Sequence, residues 1–447
     1  MKKYFVVMTA AVIVSMAVLV SCGKDDDKVV PAVITITTQP INTGVTQGKI
    51  TESLTVEASV TEGATLSYKW FENNNNSNAG GTAVSGATNA TFAIPTTLTA
   101  AESPYYYFCE VSATGGAAKV RSNVATVTVT VAEPVQDGSA AHPFLVNSEA
   151  TLKNVGSDTD GRGLDKCYLQ TANITLSGTW KPIGTNIRLF TGVYDGGGYS
   201  ITGLNPISTD PYRALFAVIG PGGEVRNLAL KNVNINTTND YVGGIAGLNR
   251  GLIENCYVTG TISGGGTVGG IAGSNYGGTI QNCYTTCSVK GTGGYIGGIA
   301  GSSSSGGKIY GGYATREISG LNYVGGITGS GVDVSRCVAL NISVTATFAS
   351  GSAGRVAGFN ESGTFNFNYA RGSMTLKLGT TVITSPSPAT LTSIHGATIL
   401  LDATMTTKAF WELGADPALW DIGDDRLPWL KTTTGAAFKE TQNPVVS

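Results

Sequence analysis

Apolar and polar residues alternate through residues 33–38, 54–60, 66–71, 91–94, 105–113 and 124–131. A period of two marks half-buried strands, and their spacing of roughly ten residues predicts a β-sandwich. From residue 242 the pattern changes. VGGIAG at 242–247 returns at 268–273, as IGGIAG at 296–301, as VGGITG at 324–329 and as AGRVAG at 353–358. The starts are separated by 26, 28, 28 and 29 residues. Between them run segments such as GLIENCYVTGTIS (251–263), so Val242, Ile245, Ile253, Cys256, Val258 and Ile262 have counterparts one repeat later. One such repeat cannot bury its apolar face alone, but stacked turns share a continuous core. The pattern predicts a parallel, right-handed β-helix with two or three strands per repeat. A propeller, whose blades run to about 40–50 residues, fits the period less well. The paired glycines are expected at tight corners or left-handed dihedrals.

Composition agrees. The chain has 447 residues with 61 Gly, 13% charged residues and a net charge of −2. A chain poor in helix formers and rich in turn and β-branched residues is expected to be all-β. Nothing basic argues for nucleic acid, and two His leave little for acid–base or metal chemistry. None of the seven Cys forms a CxxC pair, which argues against zinc. Residues 1–21 read as a signal peptide, with Lys2 and Lys3 before an apolar run over 5–20.

Several stretches resemble known families. LVSC at 19–22 resembles a bacterial lipobox, which implies cleavage before Cys22 and lipid on that residue. Residues 22–32 would then be a lipidated tether. Its GKDDDK run resembles the signal that sends Bacteroidetes lipoproteins to the outer face of the outer membrane. Residues 33–133 resemble an immunoglobulin-like domain, with Trp70 as core tryptophan and Tyr107 as the tyrosine-corner residue two before Cys109. No Cys faces Cys109 from 54–60, so Cys109 is read as a small buried hydrophobe. The VGGIAG…NCYVTGTIS pattern is similar to the GLUG repeat of bacterial surface proteins, over roughly 138–430. Known settings of that family imply an adhesin-like, non-catalytic role. The tryptophan-rich segment from about 405, with Trp411, Trp420 and Trp429, is expected to cap the last turn, and 431–447 to be a tail.

Stacking turns would align side chains into columns. Tyr257, Tyr284 and Tyr313 form one, with Tyr369 beyond a break at Val338. Tyr241, Tyr295 and Tyr323 form another, broken by Thr267. Exposed aromatic ladders suit sugar rings; the competing reading is that the rings only stabilise the coil. Parity puts Tyr257 outside. Cys256, Cys283 and Cys337 are read as buried free thiols, Asn255 and Asn282 as an amide ladder, and Ser148 as the N-cap of a short helix. Asp158, Asp160 and Asp165 could hold calcium in a loop, set against a plain turn; otherwise no cofactor or metal is expected. The acids Asp240, Glu254, Glu317, Asp333 and Glu361 are scattered, and His142 and His395 are isolated, so catalysis is not expected. The chain therefore reads as a lipid-anchored surface protein offering a β-helix to a glycan or a host surface protein. The alternatives are a polysaccharide-degrading enzyme and a structural stalk or subunit of a surface complex.

Overall fold

The computed structural model describes residues 31–132, 135–208, 210–399, 420–422, 427–432, 437–438 and 442. The signal peptide, Cys22 and most of the tether lie outside the described residues, as do Phe410 and Trp411. The chain divides into two compact units, Met1–Pro134 and Val135–Ser447.

The first unit is a β-sandwich. One layer holds the antiparallel pairs Ile34–Thr38 with Glu57–Val60 and Ser53–Thr55 with Thr91–Ala93. The other runs Thr43–Thr46, Ala125–Thr130, Tyr105–Ala113, Leu66–Asn73, Thr82–Ala83. Trp70 is fully buried, stacks on Phe92 at 5.4 Å and donates its indole N–H to Asn89 O at 2.9 Å. Cys109 lies opposite Trp70 in register, buried and unbridged. The tyrosine corner is displaced from its expected place. The Tyr105 hydroxyl, not that of Tyr107, reaches back to the backbone, accepting from Thr99 N at 2.9 Å and donating to Thr99 O at 3.1 Å. Tyr107, on the same strand face as Tyr105, is buried against Phe92 instead.

The second unit is a parallel β-helix with four strands per turn rather than two or three. In the repeat around Tyr241 these are Tyr241–Val242 (face 1), Ala246–Asn249 (face 2), Leu252–Glu254 (face 3) and Tyr257–Gly264 (face 4). Each strand pairs in parallel with its counterpart one turn on, through face 4 in full register from Tyr257↔Tyr284 to Gly264↔Gly291. The short helix Glu149–Lys153 at the entry has Ser148 as N-cap, closing a capping box with Thr151.

The recurring aliphatics point inward. Val242, Ile245, Ile253, Val258 and Ile262 and their apolar counterparts on later turns belong to one core cluster, and Thr285, opposite Val258, is a buried polar exception. Each such burial contributes ~1.5–3 kcal/mol before chain entropy is subtracted. Backbone bonds run along the same column: Ile245 N to Ile271 O, Ile271 N to Ile299 O, Ile299 N to Ile327 O and Ile327 N to Val356 O, all within 2.8–2.9 Å. Val356 N then bonds Ile394 O, so 391–399 supply part of a further turn that no VGGIAG pattern announces. There Arg355 replaces the second glycine, and its N–H meets His395 Nδ1 at 3.5 Å. His395 is buried, and burial beside Arg355 holds its imidazole below the usual range. His142 is exposed.

The repeat glycines serve a purpose other than the expected one. None of the VGGIAG pairs has a positive φ. They are small because neighbouring turns touch: a Cβ on Gly270 would lie 2.2 Å from Gly298 O and 2.7 Å from Thr285 Cγ2. The left-handed corner falls in the next segment, at Asn227, Asn255 and Asn282, with φ of 53°, 50° and 51°. Asn tolerates this region better than most residues. The expected Asn255–Asn282 ladder does not form, since the buried Asn255 amide makes no hydrogen bond. A ladder forms on face 2 instead, where Asn249 Nδ2 donates to Asn275 Oδ1 at 2.9 Å and Asn275 Nδ2 to Ser303 Oγ at 3.1 Å.

These contacts predict an asymmetry between glycines. Gly270→Ala should lower stability by about 2–3 kcal/mol through overpacking. Gly294→Ala, whose Cβ would meet nothing within 4 Å, should change it by no more than about 0.5 kcal/mol. Urea unfolding of the two variants checks this; equal midpoints would refute the close-approach account.

Candidate binding surface on the coil

The structure separates the two tyrosine columns. Tyr257, Tyr284 and Tyr313 do stack, with ring centroids 4.9 and 4.8 Å apart and planes within 4° and 6°. They lie on the outward side of face 4, as parity required. They are nonetheless buried, at 2%, 1% and 0% exposure, and so offer no platform to a sugar as they stand. The cover is the chain's own C-terminal segment. Trp420, Leu427, Leu430 and Phe438 form one apolar cluster with the three tyrosines. The Tyr313 hydroxyl donates to Pro428 O at 2.8 Å, Tyr284 meets Gln442 Oε1 at 3.1 Å, and Trp420 Nε1 donates to Asn282 Oδ1 at 3.3 Å. The expected cap over the last turn is therefore, in its described residues, a strap along the side. A row of flat rings offers it more apolar area than a single open turn would.

The second column stays half-exposed. Face 1 aligns Tyr212, Tyr241, Thr267, Tyr295, Tyr323 and Ser352. Tyr212 stacks on Tyr241 at 5.1 Å and Tyr295 on Tyr323 at 5.2 Å, and Thr267 divides the two pairs. Phe359 extends the second pair at 5.3 Å from Tyr323. Sequence reading missed Tyr212 although a signal existed. Tyr212 precedes Leu215 as Tyr241 precedes Gly244, and Leu215 N bonds Gly244 O. Further exposed aromatics sit at the corners. Arg250 lies over Tyr276 at 5.4 Å, and Arg336 lies near both Tyr310 (5.5 Å) and Phe367 (5.9 Å).

The remaining candidates are structural. Cys256, Cys283 and Cys337 are buried free thiols, and burial first of all holds the Cys256 thiol well above its usual range. Asp158 is paired with Arg188 and Asp165 with Lys166. No cluster of three His, Cys, Asp or Glu residues suited to a metal ion occurs among the described residues. Acids on the coil serve lateral contacts: Arg226 bonds Asp195 at 2.8 Å and also Glu224, and Gln281 bonds Glu254 at 2.8 Å.

With this geometry, the resemblance to the GLUG repeat can be placed. The GLUG motif matches residues 238–263, one full turn of four strands. Halomucin of Haloquadratum walsbyi is 32% identical over 149 residues, 31% of this chain and 2% of halomucin. A protein of Evansella cellulosilytica named as a candidate Gly-rich membrane protein is 35% identical over 130 residues, 27% of this chain and 15% of its own. The matches thus span a small fraction of these curated relatives. Among solved structures, a Bacteroides ovatus protein named as a candidate immunoglobulin A1 protease superposes with a TM-score of 0.55. That alignment has 25% identity and covers 66% of this chain and 94% of the other. The chain thus carries one match to the GLUG motif on a β-helix fold. No helix among its described residues is long and apolar enough to cross a membrane.

The strap makes a testable difference to the tyrosines. Burial, then the neighbouring Tyr313 and Tyr257, hold the Tyr284 hydroxyl well above its usual 10. A raised folded pKa contributes stability that is complete below pH 10 and is lost as pH climbs above it. Ending the chain after Ile399 should return Tyr284 ionisation toward pH 10, raise binding of an apolar dye and lower the unfolding midpoint. Absorbance titration, dye fluorescence and urea unfolding read the three in turn; unchanged tyrosine ionisation would show that the strap does not shield the column.

Proposed function

We propose that this protein is a non-catalytic binding protein of the bacterial cell surface, held to the outer membrane by lipid on Cys22, and that it contacts glycan through face 1. The observation that carries this reading is the half-exposed aromatic column Tyr241, Tyr295 and Tyr323, extended by Tyr212 and Phe359. Flat rings at a regular spacing offer π faces to sugar rings, while the hydroxyls at the rim can bond sugar hydroxyls. The GLUG match and a relative named for a membrane support the setting. The solved neighbour's name refers to a protease, but Asp195, Glu224 and Glu254 are engaged in the lateral contacts described above, which favours a scaffold. A host surface protein is the second partner class, favoured by the corner pairs of arginine and aromatic residues, a combination enriched at protein interfaces.

Screening the chain against a glycan array and against immobilised host surface proteins tests the reading. Tyr295→Ala combined with Tyr323→Ala should weaken glycan binding at least tenfold, about 1.4 kcal/mol, with the coil still folded. Absence of binding to any glycan, or binding indifferent to both tyrosines, would overturn the face 1 assignment. Labelling of Cys22 by a fatty-acid analogue in a bacterial host, lost in Cys22→Ser, tests the anchor.

A further inference from the structure

The entry turns of the second unit hold a cavity that the aromatic columns do not touch. It has a volume of about 450 Å³ and opens beside residues 179–185, within the range of about 300–1,000 Å³ usual for small-ligand sites. Leu164, Trp180 and Ile183 form an apolar wall, and Lys153, Lys181 and Arg188 bring three cations to it. No carboxylate side chain lines it.

The site is built rather than incidental. The buried Tyr168 ties its two supporting loops together, accepting from Gly156 N at 3.1 Å and donating to Gly163 O at 2.8 Å. Trp180 is fixed from behind by donating its indole N–H to Leu215 O at 3.0 Å. Gly156, at φ 70°, lets Leu164 approach so closely that a Cβ there would lie 2.2 Å from Leu164 Cδ2.

The charges are unevenly satisfied. Lys153 is held by Glu149 at 2.8 Å and Arg188 by Asp158, both pairs partly or largely exposed. Such pairs contribute little and exchange readily. Lys181 is exposed and has no carboxylate partner among the described residues. Lys181 and Thr185 also line a second cavity, of about 560 Å³, that continues past Ser208 and takes in Asp210, so the charge preference belongs to the Lys181 end alone. A ligand longer than one ring therefore has somewhere to run.

We propose that this pocket binds an acidic sugar residue within a glycan, its carboxylate facing Lys181 and its ring lying along the Leu164–Ile183 wall. The hydroxyls of Ser157, Thr179 and Thr185 in the same lining favour a sugar: Ser157 accepts from Thr159 N and Thr185 from Ile187 N and Arg188 N, which leaves their O–H groups to donate to sugar oxygens. This site rests on the surface-binding reading and adds to it a second subsite with a charge preference.

Calorimetry of the full chain with trigalacturonate and with its methyl ester tests the proposal. The acid should bind and the ester should bind at least tenfold more weakly. Lys181→Glu should weaken the acid at least tenfold while leaving the urea midpoint unchanged, since the side chain is exposed. Raising salt should weaken the acid as well. Equal binding of acid and ester, indifference to Lys181→Glu, or no binding of the acid would overturn the pocket. Neutral glycan binding that persists through Tyr295 and Tyr323 in that case leaves the face 1 reading standing, and loss of both sinks the two together.

Discussion

The second unit depends on one constraint: successive turns must lie close enough for their backbones to bond. The run from Ile245 through Ile271, Ile299 and Ile327 to Val356 and Ile394 is a single file of such bonds. Only residues without a Cβ fit between these turns on the Gly244–Gly270–Gly298–Gly326 row. Inward aliphatics then fill the core, and outward side chains have no freedom to leave their columns. Tyrosine stacking, the buried amide ladder and the lateral ion contacts are consequences of that spacing.

The same spacing explains why one tyrosine column is hidden and the other is half-open. Rings aligned every turn make a long apolar strip, which water disfavours. On face 4 the chain covers the strip itself with Trp420, Leu430 and Phe438. On face 1 Thr267 interrupts the strip, leaving two short pairs. A short pair is a smaller apolar area and tolerates exposure.

Much of this was legible from residue pattern alone. The strand at Tyr105–Ala113, the buried Trp70 and unbridged Cys109, the Ser148 cap and the in-register columns all follow from alternation and repetition. What was not legible depends on contacts distant in sequence. Parity placed Tyr257, and with it the column, on the outer side of face 4, but only the fold brings Gln442, 158 residues away, onto the Tyr284 hydroxyl. The glycine pairs looked like corners because composition records small size and not its reason. The amide ladder was sought beside Cys256, where the recurrence is plainest, while Asn249 and Asn275 precede segments of unequal spelling. The entry cavity had no signal at all, since its wall and its cations come from segments that do not repeat.

The strap also acts as a gauge. A coil of equivalent turns can gain or lose whole units by recombination within its gene, because each added turn finds the same donors above and below. Between Tyr257 and Tyr313 that freedom ends: the C-terminal segment meets Tyr257 through Phe438, Tyr284 through Gln442 and Tyr313 through Pro428, and an extra turn there would put these anchors out of step. Length variation among such proteins is thereby steered toward the turns the strap does not reach.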